Sequence, residues 1–165
     1  MNYKIWDSAA EYVVSSMEED AKNQMPDPKD FSSHETFLSR WVLKLQEGEY
    51  DKDDIELVVD VLRSAGVQSL QQMTSVGIPY NHDDMVELLC RKQHDYGHQN
   101  INNFGILGLA VRMCDKIARI KNLVSRGSHG VNEPLEDSYR DIVGYATITV
   151  MYHEGTFQYK LEKDI

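Results

Sequence analysis

The apolar residues of this chain recur every three or four positions in one segment after another, and no stretch alternates as a half-buried strand would. That period restricts the fold to helices packed on helices. Asp7 is placed to cap a first helix running to about Lys22, with Ala10, Val13, Val14 and Met17 as its stripe. Pro26-Asp27-Pro28 then interrupts the pattern. Ser32-Ser33-His34-Glu35 has capping-box spacing and opens a second helix to about Gln46, whose Leu38, Trp41, Val42 and Leu45 share one face before Gly48. Asp53-Asp54-Ile55-Glu56 begins a third, with Ile55, Val58, Val59 and Leu62 aligned and Gly66 as its expected stop. A weaker helical piece covers about Gln68 to Thr74, and Gly77-Ile78-Pro79-Tyr80 reads as a turn.

Asn81 can cap a helix from about His82 to Tyr96, with Met85, Leu88 and Leu89 facing the core and Gly97 ending it. A loop is expected up to Gly105, then a helix from about Leu107 to Val124 that carries Ala110, Val111, Cys114, Ile117, Ala118 and Lys121. Ser125 to Val131 is a Gly/Ser-rich connector, and Pro134 suits the first turn of a last helix to about His153, with Leu135, Ile142, Val143 and Ala146 for packing. The expected fold is therefore all-α: a helical bundle with an N-terminal helical extension (residues 1–80) and a helical core (residues 81–165), packed as one domain.

At 165 residues the chain is long enough to bury a core. Its 41% hydrophobic content includes no apolar run of the roughly 20 residues that a membrane helix needs, so no membrane partner is expected. The stretch Met1 to Asp7 lacks a basic segment leading into an apolar one, which argues against a secretory signal and for a cytoplasmic location. A formal charge of −10 opposes binding to a nucleic-acid polymer. A small phosphate ligand bridged by a divalent cation suits that charge better. Cys90 and Cys114 have no CxxC spacing and read as small core residues rather than metal ligands.

Charged side chains at helical spacing recur in three successive segments: Lys92-Gln93-His94-Asp95-Tyr96-Gly97, Asp115-Lys116, and Glu136-Asp137-Ser138-Tyr139-Arg140-Asp141. At about 100° per residue, Arg112, Asp115 and Arg119 fall within a sector of roughly 60°, and Asp137 and Asp141 differ by about 40° around their helix. Magnesium takes hard oxygen ligands and keeps waters or phosphate oxygens, so Asp115, Asp137 and Asp141 are the first candidates to hold Mg2+. Asp95 is either a further ligand or the group that orients an attacking water. Lys92, Arg112, Lys116 and Arg119 can neutralise phosphate charge. Tyr96, Phe104 and Tyr145 can stack on a base. Each of these residues also has a structural alternative, since i, i+3 and i+4 ion pairs decorate any amphipathic helix and aromatics at helical spacing often belong to a core.

With these residues the chain resembles the phage-associated nucleotide modification associated domain family. The pattern that carries the resemblance is Lys92 to Gly97, Asn100, Phe104-Gly105, Arg112, Asp115-Lys116, Arg119, Glu136-Asp137 and Asp141 to Tyr145, within about Asp84 to Phe157. That family is similar to the MazG-like all-alpha nucleoside triphosphate pyrophosphohydrolases, although their EExxE and ExxD pattern is absent here. The resemblance implies a magnesium-dependent enzyme of nucleotide metabolism or DNA modification, in the host cytoplasm if phage-encoded. It would convert a (deoxy)nucleoside triphosphate to monophosphate and pyrophosphate. Asp95, Asp115 and Lys116 would be catalytic, Tyr96, Asn100, Asn103 and Phe104 would hold the nucleoside, and the unit would be a homo-oligomer. Two alternatives come from other classes: an HD-type metal phosphohydrolase built on His34, His82-Asp83 and a later Asp, and a non-catalytic nucleotide sensor or host-interaction protein.

Overall fold

A computed structural model describes residues 5–25 and 31–163, and the expected Pro26-Asp27-Pro28 interruption and the residues Met1 to Lys4 lie outside them. The described chain is all-α. Its helices are α1 (Trp6–Asn23), α2 (Ser32–Glu47), α3 (Lys52–Val76), α4 (His82–Tyr96), α5 (Gln99–Asn102), α6 (Gly105–Ser125) and α7 (Leu135–Glu154), followed by a 3-10 turn at Thr156–Gln158. No described helix is long and apolar enough to cross a membrane.

The largest departure from the sequence pattern is α3. Gly66 does not stop it; one helix of 25 residues runs from Lys52 to Val76 and absorbs the expected second piece. The glycine marks a crossing instead. A Cβ at position 66 would stand 2.5 Å from the Ala146 Cβ of α7 and 3.0 Å from the Met17 sulfur of α1, so only a bare backbone lets the helices meet there. The real start of α3 is Asp51, whose carboxylate accepts a hydrogen bond from Asp54 N while the Asp54 carboxylate accepts one from Asp51 N, and Gly77 is its real stop.

Two expected caps do other work. α1 starts at Trp6 with Ile5 at the cap position, and Asp7 accepts a hydrogen bond from Glu162 N at 3.0 Å, tying the C-terminal strap to α1. α2 begins after Phe31 without a side-chain cap, and Glu35 pairs with Lys121 of α6 at 3.2 Å. Asn81 behaves as expected, capping α4 through Asp84 N at 3.0 Å. The expected loop before Gly105 contains the single turn α5.

The buried cluster draws from the whole length of the described chain: Val14 and Met17 of α1, Leu38 of α2, Leu62 and Met73 of α3, Met113 and Ile117 of α6, Ile142 and Met151 of α7. Cys90 lies fully buried within it and Cys114 packs half-buried against it; both thiols are free. At one end, Phe157 stacks edge-on against Trp6 and His98, His98 Nε2 meets the Tyr159 carbonyl at 3.0 Å, and Asn102 and Gln158 exchange amide hydrogen bonds. That knot fixes α1, α5 and the C-terminal strap around the mouth described next.

Candidate functional site

α4 meets α7 at Gly144, where a Cβ would stand 3.3 Å from the Leu89 side chain of α4. Lys92, Gln93 and Tyr96 of α4 face Tyr145 and Ile148 of α7, Asn100 and Ile101 of α5 and Arg112 of α6 form the far wall, and Trp6 of α1 closes the end. The open cleft they line measures about 300 Å³, at the small end of the range for ligand sites. Gly97 makes the turn between α4 and α5 with φ 66° and ψ −151°, a backbone conformation open to glycine, so Tyr96 and Asn100 sit on the two sides of one sharp bend.

The charge at the site is a three-centre arrangement. Asp141 offers one oxygen to Lys92 at 2.8 Å and the other to Lys116 at 3.0 Å. The two lysines differ in surroundings: the Lys92 side chain is 47% exposed and that of Lys116 24%, against 15% for Asp141. Burial works against the Lys116 ammonium, but the bond to Asp141 and its charge, with smaller help from Tyr145 and Glu133, outweigh it and hold the pKa above the ordinary lysine value. Arg112 gives one N–H to the Asn100 carbonyl at 3.3 Å, which leaves most of its fork for other acceptors. Trp6 Nε1 and Asn100 Oδ1 are buried without a hydrogen-bond partner among the described residues. Unmet polar groups at a cavity wall are what a polar ligand with small side-chain adjustments can satisfy.

Of the residues expected at a site, the structure thus gathers Lys92, Tyr96, Asn100, Arg112 and Tyr145 around one cavity, with Asp141 paired to Lys92 and Lys116 behind it. Others stand apart. Asp95 is exposed beside His94, at 3.2 Å. Asn103 accepts a bond from Gln99 at 2.6 Å, and Phe104 is 66% exposed. Arg119 is spent on the α6–α7 connection, donating to Ser138 Oγ at 2.7 Å and to the carbonyls of Pro134 and Glu133. The structure adds residues that sequence spacing did not single out: Trp6, Leu89, Gln93, Ile101 and Ile148. Gln93 was within reach, since it follows Leu89 by one helical turn; nothing local points to Trp6.

The three aspartates expected to hold magnesium are each placed with other partners or in solvent. Among the described residues no group of three His, Cys, Asp or Glu side chains is placed to hold a metal. Both oxygens of Asp141 face ammonium groups, Asp137 pairs with Arg140 at 3.6 Å, and Asp115 is exposed on α6. The residues of the HD-type alternative separate likewise. His34 Nε2 bonds Ser64 Oγ at 3.1 Å, whereas His82 Nδ1 meets Glu18 at 2.6 Å.

A family model described as Nucleotide modification associated domain 1 matches residues 92–152. That span begins at Lys92 and takes in Tyr96, Asn100, Arg112, Lys116, Asp141 and Tyr145, and it leaves Trp6 and Leu89 outside. No curated protein and no solved structure matches the chain.

Proposed function

We propose that the protein binds a nucleoside phosphate in the cleft between α4, α6 and α7, as part of nucleotide metabolism or nucleotide modification. The observation that carries this reading is the convergence of cations and aromatic faces on one small cavity. Tyr96 and Tyr145 supply flat surfaces for a base, and Asn100 and Arg112 supply donors and acceptors for its edge. The phosphate end falls at Lys92. Lys92 is half in solvent and Asp141 has a second partner in Lys116, so a phosphate can take Lys92 while Lys116 keeps Asp141 neutralised. The family model over residues 92–152 supports the choice of nucleotide over other anions.

A second reading adds hydrolysis of a triphosphate, with water forming a bond to the α-phosphorus as the bond to the leaving pyrophosphate breaks. The position of Asp141 beside Lys92 favours it, because a carboxylate there can orient a water while the lysines offset charge on the leaving group. Among the described residues Asp115, Asp137 and Asp141 form no preformed magnesium site.

One experiment separates the two. Purified protein is titrated calorimetrically with each ribo- and deoxyribonucleoside triphosphate, then incubated with the same panel plus magnesium, and the products are resolved by chromatography. Binding of at least one nucleotide is expected. Monophosphate and pyrophosphate in equal amounts, lost in Asp141→Asn, establish hydrolysis; binding without product leaves a sensor, and no binding by any member of the panel removes both readings.

A further inference from the structure

The nucleotide cavity is one end of a longer groove. Asp84, Met85, Leu88, Leu89, Lys92 and Tyr96 recur every three or four residues and therefore lie along one face of α4, over about 18 Å at 1.5 Å per residue. Three cavities follow that face in order. The cavity of about 300 Å³ shares Leu89, Lys92, Tyr145 and Ile148 with a neck of only about 30 Å³, which also reaches Arg140 and Asp141. The neck in turn shares Met85, Leu88 and Arg140 with a second chamber of about 330 Å³, walled further by Pro79, Tyr80, Asn81 and Asp84. Two chambers of matched size thus meet at a constriction whose charged residues are Lys92, Asp141 and Arg140.

From this geometry we infer that the ligand is two-headed: a nucleoside joined through a diphosphate to a second, uncharged group carrying hydroxyls. The inference rests on the nucleotide reading of the cleft and deepens it. The small pocket between the chambers is lined by Lys92 and Arg140, the latter also bonded to Asp137 and the Pro79 carbonyl, and by Asp141, whose charge Lys116 offsets; the surplus of cations suits a linking diphosphate. The second chamber has the opposite character. Its apolar floor of Met85 and Leu88 and its exposed Asp84 carboxylate receive a hydroxyl-bearing ring, by contact and by accepting hydrogen bonds. The Asn81 cap acts on the backbone N–H of Asp84, so the Asp84 carboxylate is not consumed by capping.

The test compares each nucleoside diphosphate with its conjugate, UDP with UDP-glucose and ADP with ADP-ribose, by calorimetry on the intact chain. Conjugate affinity about tenfold above that of the parent diphosphate is expected. In Leu88→Glu, which puts a charge on the chamber floor, that ratio should fall to about one, and in Asp84→Ala it should drop several-fold; Lys92→Ala should weaken parent and conjugate together. Circular dichroism checks each variant, and Asp84→Ala decides the matter if Leu88→Glu does not fold. Equal affinity for parent and conjugate overturns the two-headed ligand while the nucleotide reading stands. A tenfold ratio that neither variant changes overturns the placement in this chamber, and absence of binding by every nucleotide overturns both.

Discussion

Two pockets with charged side chains on their walls, one beside α1 and one between α4 and α7, differ in how much of that charge is already spent. At the junction of α1 with the start of α4, a pocket of about 460 Å³ is walled by Glu18, Tyr80 and His82 among others. There the Tyr80 hydroxyl donates to one Glu18 oxygen at 2.6 Å, and His82 Nδ1 meets the other at 2.6 Å. Glu18, Tyr80 and His82 thus satisfy one another, while the exposed Lys22 of the same pocket has no partner among the described residues. In the α4–α7 cleft, Lys92 is half in solvent, Arg112 uses a fraction of its donors, and Trp6 Nε1 and Asn100 Oδ1 have none. The difference teaches that spare hydrogen-bonding capacity, rather than cavity size, distinguishes a ligand site from a structural tether.

The comparison breaks most readily by removing the tether's centre. Glu18→Ala leaves the Tyr80 hydroxyl and the His82 ring without their acceptor and should cost about 2–3 kcal/mol of stability in urea titrations, with nucleotide affinity of the folded protein unchanged. Loss of nucleotide binding on that substitution would merge the two pockets into one function. The converse holds in the cleft. Lys92→Ala should change stability by less than about 0.5 kcal/mol and weaken nucleotide binding about tenfold, measured by the same denaturation and by calorimetry.

The tether also has a sign in pH. Burial lowers the His82 pKa, but hydrogen bonds and charge from Glu18 and then Glu11 outweigh it, so the folded value lies above the ordinary 6.5. A raised folded pKa stabilises fully below the unfolded value and is lost as pH climbs through the folded one. Melting temperature should therefore fall as pH rises upward from about 6.5, and His82→Gln should remove that part of the slope. Smallest in effect is the thiol that neither region uses. Burial, with some help from the Asp7 charge, pushes the Cys90 thiol up to about 11, so iodoacetamide at pH about 8 should label it far more slowly in the folded chain than after unfolding in urea.

Much of the fold was legible because helical period is a local property. Met85, Leu88 and Leu89 place α4, and Asn81 and Gly97 bound it, without any knowledge of what it packs on. Gly66 shows where this fails. A glycine after an apolar run resembles a helix stop, and only the approach of Ala146 from 80 residues downstream makes it a crossing point within one long helix. Asp7 and Glu35 fail in the same way: both have capping chemistry, and distant partners, Glu162 N and Lys121, claim their carboxylates.

The site divides along the same line. The residue types that suit phosphate chemistry, and the stripe of Lys92 and Tyr96 on one helix, are properties of the sequence, and so is the family pattern over residues 92–152. Which charges meet which was decided only in three dimensions. Asp141 reads as a metal ligand by spacing, yet folding sets it between Lys92 from α4 and Lys116 from α6, because α7 packs against both helices. Trp6, 86 residues before Lys92, becomes an end wall through the knot with Phe157 and His98. The sequence by itself determined the helices and the chemical repertoire, since period and residue type act over one or two turns. The tertiary structure decided which of those groups pair and which remain open to a ligand, since pairing depends on distances between helices that no local pattern encodes.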